Sequence, residues 1–117
     1  MAMEKTLRMS LLFDFYGPLL TERQQDVFQL YFHDDLSLGE IAEELCISRQ
    51  AVYDTLRRVG LILEEFEQKL GLLQKDQERQ SIYGKIMQLV EELRSQCGEL
   101  PHLTAIEEQI QKARGAS

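Results

Sequence analysis

Ser37-Leu-Gly-Glu-Ile-Ala-Glu-Glu-Leu-Cys46-Ile-Ser48-Arg-Gln-Ala-Val52-Tyr-Asp-Thr-Leu-Arg-Arg-Val-Gly60 decides the fold, because it reads as two helices joined by one sharp turn. Ser37 and Glu40 stand at capping-box spacing: the hydroxyl accepts the N3 amide and the carboxylate returns to the Ncap amide. Ile41, Ala42 and Leu45 then share one face, and Ala42 is small where a second helix must cross closely. Cys46-Ile47 makes the break. That turn usually takes Gly or Asn for a left-handed backbone, so a Cβ there costs roughly 1 kcal/mol. Ser48 caps a second helix in which Val52, Leu56 and Val59 point inward. At about 100° per residue, Gln50, Tyr53, Asp54 and Arg57 lie on the opposite face.

Two short helices around a tight turn, the second one carrying polar, aromatic and basic side chains outward, place a recognition helix in a major groove. The competing reading is an ordinary helical hairpin of a bundle. The run Ser48-Arg49-Gln50-Ala51-Val52-Tyr53 favours the helix-turn-helix, although a fold alone does not establish nucleic-acid binding. The candidate nucleic-acid-binding residues are Ser48, Arg49, Gln50, Tyr53, Arg57 and Arg58. Arg57 suits a phosphate or a guanine, Gln50 a base edge, and Tyr53 the backbone or a stacked base.

Working outward, only two prolines and seven glycines among 117 residues, with 28% charged residues, favour an all-α chain. That length allows one small helix-turn-helix domain without a wing, expected over residues 1–70, and a helical C-terminal extension over 71–117. The net charge is −7, from 20 acids and 13 bases. Residues 1–60 hold 10 acids and 6 bases, and residues 61–117 hold 10 and 7, so the split at Gly60 leaves −4 and −3. Locally, residues 48–59 are basic, with Arg49, Arg57 and Arg58 against Asp54, a net +2. Phosphate contacts dominate affinity in most nucleic-acid binders, so this patch predicts weak, salt-sensitive binding unless a partner adds positive charge.

N-terminal to the motif, Leu7, Leu11, Leu12 and Phe15 recur at helical spacing up to Gly17-Pro18, with Phe13 and Tyr16 on another side as core aromatics. Thr21-Glu22-Arg23-Gln24 is a second capping-box pattern, opening a helix through Val27, Phe28, Leu30 and Tyr31 to His33, whose place at the C-terminus suits the dipole. C-terminal to the motif, Leu56, Val59, Leu63, Phe66, Leu70 and Leu73 form a heptad-like seam interrupted by Gly71, so the recognition helix continues toward Leu70. Gln74 to Ser81 is a solvated charge run, read as a turn and the exposed start of another helix. Ile82, Ile86, Leu89 and Leu93 resume the spacing, widened by Val90. Pro101 opens a last helix with Leu103, Ile106 and Ile110, and Lys112 to Ser117 reads as a frayed tail. These seams are covered either by one another and the first domain or by a second subunit. A stripe does not separate the two, and a homodimer is the reading favoured.

The common phosphate-loop, dinucleotide, zinc-protease and serine-hydrolase motifs are absent, so no enzyme, catalytic residue or cofactor is expected. Neighbouring glutamates such as Glu43-Glu44 and Glu91-Glu92 point to different sides of a helix and form solvated faces. Cys46 and Cys97 have no zinc spacing, which predicts no metal and a reduced intracellular setting. Asp14 and Pro18 interrupt the apolar run after Lys5 and Arg8, against a signal peptide, and no run approaches the roughly 20 residues of a membrane span. A cytoplasmic protein with no membrane partner is expected.

Residues Thr21 to Leu63 resemble the sigma-factor domain, region four, that reads the promoter's upstream hexamer, through the capped Thr-Glu-Arg-Gln helix, Leu-Ser-Leu-Gly-Glu-Ile-Ala-Glu and Ile-Ser-Arg-Gln-Ala-Val-Tyr. Nearly the whole chain is similar to the YlxM family of small bacterial helix-turn-helix proteins with a helical tail. Leu12 to Thr21, Ser48 to Asp54 and Ile62-Leu63-Glu64 carry that likeness. The resemblance implies a cytoplasmic regulator linked to the signal recognition particle and co-translational protein targeting. Its implied partners are DNA or the particle's RNA. The alternative is an interaction module that binds a targeting GTPase without touching nucleic acid.

Overall fold

The computed structural model describes residues 2–115, with side chains from residue 6 onward. Within that range six α-helices follow in order: α1 (Ala2–Tyr16), α2 (Glu22–Phe32), α3 (Leu38–Leu45), α4 (Arg49–Leu70), α5 (Leu72–Cys97) and α6 (Pro101–Gly115). A 3-10 turn, Gly17–Leu19, joins α1 to α2. The chain divides between Leu73 and Gln74 into two compact units.

In the first unit, α1 and α2 pack on α4, and α3 on α2 and α4. Both expected capping boxes form: the Thr21 and Ser37 hydroxyls accept from the Gln24 and Glu40 amides at 3.2 and 3.1 Å, and those side chains accept from the cap amides at 3.0 Å. The interior has two parts. Leu12, Phe13, Tyr16, Leu20, Phe28, Val59, Leu63 and Leu73 form one, and Val27, Ile41, Ala42 and Val52 the other. Neighbouring residues of α2, Val27 and Phe28, reach into both.

The inward face of α1 keeps Leu12 and the core aromatics Phe13 and Tyr16 as expected, and departs from the expected stripe at Leu7. Leu12, Phe13 and Tyr16 are buried, whereas Leu7 is 62% exposed and Leu11 and Phe15 are half-buried. Measured around the helix, Leu7 lies nearly opposite Tyr16, so α4 takes the aromatic side and leaves the Leu7 side to solvent. Arg8 reaches Glu64 of α4 with two bonds, Nε to Oε1 at 2.6 Å and Nη2 to Oε2 at 2.8 Å. The guanidinium holds the Glu64 carboxyl below its usual range.

Gly71, read from the sequence as a mere interruption, ends α4: its φ of 64° is left-handed, and its amide bonds the Glu67 carbonyl. Gln74 to Ser81 is accordingly helix from its first residue, because α5 starts at Leu72. The junction is held by Tyr16, whose hydroxyl donates to Glu67 Oε1 at 2.6 Å and accepts the Leu72 amide at 3.1 Å. The same carboxylate oxygen accepts the Leu73 amide at 3.0 Å, capping α5. Burial first, and the Glu67 hydrogen bond second, push the phenol above its ordinary value of 10. A folded value raised in this way means that the neutral phenol's stabilisation is complete below pH 10 and is lost as the pH rises through the folded value. Tyr16→Phe is expected to cost about 1 kcal/mol at neutral pH and to flatten that alkaline decline, which urea titrations across the pH range measure.

The second unit is the greater part of α5 with α6. Val90, Leu103 and Ile110 are its buried residues, and Pro101 opens α6 as read. Arg94 bonds Glu91, Glu107 and, at 3.1 Å, Glu99. The C-terminal segment is helix through Gly115 rather than frayed from Lys112, and the last two residues of that expectation lie outside the described range.

Candidate nucleic-acid interface

The interface is built on the α3–α4 turn. Cys46 sits at φ 57° and ψ 44°, the left-handed conformation that the break requires, and its amide returns to the carbonyls of Ala42 and Glu43. The next amide, of Ile47, bonds the Ala42 carbonyl at 3.0 Å, closing the end of α3. Ser48 caps α4 by accepting the Ala51 amide at 3.0 Å. Behind the turn, Ala42 and Val52 are buried together, so the small side chain of α3 lets α4 cross closely.

The six candidate residues, Ser48, Arg49, Gln50, Tyr53, Arg57 and Arg58, are all exposed on α4 or its cap. They are not equally poised. Gln50 Nε2 donates to Asp54 Oδ1 at 2.9 Å, so this amide is already engaged by a carboxylate. Arg49 folds back over α3: a Cβ added at Gly39 would stand 2.9 Å from its Nη2, so a larger residue there would displace the flexible guanidinium from this position. Arg57 and Arg58 line a shallow recess with Asp54 and the exposed Leu61.

Sequence reading missed the Gly39–Arg49 approach and placed Asp54 on the face without its bond. The i,i+4 spacing of Gln50 and Asp54 was the available signal for the second; nothing local announces the first. The observed boundary also changes the charge balance. Residues 1–73 hold 13 acids and 7 bases, a net −6, whereas residues 74–117 hold 7 and 6, a net −1. The acidity is therefore concentrated in the unit that carries the motif, including exposed Glu40, Glu43 and Glu44 on α3. Among the described residues, no helix is long and apolar enough to cross a membrane.

Residues 3–100 match the UPF0122 family, described as "Putative helix-turn-helix protein, YlxM / p13 like". UPF0122 proteins of Bacillus cereus strains AH187 and G9842 and of Bacillus anthracis strain A0248 are each 59% identical to this chain over 90 residues. The shared stretch covers 77% of this chain and 82% of each relative.

Proposed function

Because the chain belongs to the YlxM/p13-like family of helix-turn-helix proteins, we propose that it is a nucleic-acid-binding regulator that uses the outward face of α4. The observation that carries this reading is the joint exposure of Gln50, Tyr53, Arg57 and Arg58 on a helix fixed from behind by Val52 and Val59. Arg57 takes a phosphate or guanine, Tyr53 stacks or touches the backbone, Gln50 reaches a base edge once released by Asp54, Arg49 and Arg58 add positive charge on the flanks, and Ser48 caps the helix start. Following the YlxM likeness, the site of action is the cytoplasm, the pathway is co-translational targeting, and the ligand is signal-recognition-particle RNA or DNA. The protein acts as a homodimer.

A second reading is favoured by the −6 carried by residues 1–73: the same fold meets a basic surface of a targeting GTPase, with charge complementarity setting the association rate. Fluorescence anisotropy of labelled particle RNA and of random duplex DNA, at low and physiological salt, separates the two. Arg57→Ala is expected to weaken nucleic-acid binding by about 1–3 kcal/mol while the chain stays folded. An unchanged affinity removes the Arg57 contact, and no binding at low salt to either probe sends the function to the GTPase.

A further inference from the structure

Helix α5 carries two apolar stripes. Gln80, which accepts from Arg114 Nε at 3.2 Å, and Arg94, bonded to Glu107, mark the side that faces α6. Tyr83, Met87 and Val90 lie along that side. The second stripe, Ile82, Ile86, Leu89 and Leu93, is turned from it by roughly 110° at the α-helical step. Ile82, Leu89 and Leu93 are 56, 62 and 42% exposed. Ile86 is half-buried, and with Tyr83 it walls an apolar groove of about 500 Å³ whose far side is Ile106, Gln109 and Ala113 of α6. A helix with two such stripes occupies the corner of a bundle and has two neighbours. Here α6 is one, and no other helix among the described residues of this unit supplies the second.

We infer that the second neighbour is α5 of another copy of this chain, running antiparallel. The four-three-four spacing of the exposed stripe is a heptad seam. Laid antiparallel on itself, it sets Ile82 against Leu93 of the second copy and Ile86 against Leu89 of the second copy, and the two-fold axis repeats each contact. The flanks agree. Lys85 and Glu92 are exposed and lie on the edge of the stripe away from α6, where the same alignment brings each lysine opposite the other copy's glutamate. A parallel alignment instead puts Lys85 beside Val90 and forms no charge pair. A net charge of −1 on residues 74–117 does not oppose self-association. The inference rests on the homodimer reading given above and is independent of what α4 binds.

Analytical ultracentrifugation of the full chain tests it. The wild type sediments as a dimer, and Leu89→Glu weakens self-association at least about 30-fold with helicity unchanged by circular dichroism. Lys85→Glu and Glu92→Lys each weaken the dimer, since each sets like charges across the axis. Mixing the two variants restores it, because a chain with two glutamates then faces one with two lysines. A wild type still monomeric at ~100 µM overturns the interface and the homodimer together. A dimer indifferent to Leu89→Glu overturns this interface and leaves a homodimer built elsewhere, and a mixture that fails to recover overturns the antiparallel alignment.

Discussion

Phe28→Ala is expected to lower the unfolding free energy by about 3–5 kcal/mol, read as a lower denaturant midpoint at an unchanged slope. The ring is fully enclosed, and three helices meet around it. It stacks on Phe13 of α1 with centroids 4.3 Å apart and planes 4° from parallel, and on Phe32 of its own helix at 4.4 Å. The His33 ring stands nearly perpendicular to both Phe13 and Phe28 with centroids 5.8 Å away, and Val59 and Leu63 of α4 complete the cluster. Since α1 and α4 are tied by Arg8–Glu64 and the Tyr16–Glu67 junction, the helices cannot simply close over the lost ring, and the cavity term adds to the lost transfer energy. Domains of this size are stable by about 5–15 kcal/mol, so the variant approaches unfolding. A loss below about 2 kcal/mol shows instead that the first core relaxes around the hole.

Most of what positions α4 was legible because it is local. A capping box, a break and a cap lie within four residues of the groups they join, and Ser37–Glu40, Cys46 and Ser48 each took the predicted geometry. The assignment to the YlxM-like family rests on the same runs of sequence and on the match over residues 3–100. What was illegible depended on partners distant in sequence. Periodicity shows that α1 has apolar sides but not which one α4 chooses; Leu12, Phe13 and Tyr16 face inward, with Phe13 stacked on Phe28 of α2 and Tyr16 against Phe66 of α4. Gly71 looked like a gap in a seam, since its role comes from a left-handed φ and from Tyr16, 55 positions away, bonding the next residue's amide. The same limit holds on the outward face. Spacing placed Gln50 and Asp54 together, whereas the lodging of Arg49 against Gly39 requires the two helices already crossed.

Ile41→Ala is the second large effect expected, about 2–5 kcal/mol, and its consequence differs in kind from that of Phe28→Ala. Ile41 is fully buried in the second core, where Val27 of α2, Ala42 of α3 and Val52 of α4 converge, with Leu30, Leu45, Ile47 and Leu56 packed around them. α3 is only eight residues long, too short to be helical on its own, so its packing on α2 and α4 sustains it. Removing three carbons from its most enclosed side chain therefore frees α3 first. Hydrogen exchange should show the amides of α3 losing protection well before those around Phe28, which keep their own cluster. Nucleic-acid affinity is the sharper readout. Ile41 is fully enclosed and cannot itself contact a ligand, yet the turn at Cys46, the cap at Ser48 and the seat of Arg49 on Gly39 all depend on where α3 lies against α4. If α3 orients the interface, Ile41→Ala weakens binding at a temperature where the chain is still folded, and it does so without removing a single exposed charge. If affinity holds while α3 exchanges freely, α4 alone carries recognition and α3 serves only to cover its inner face.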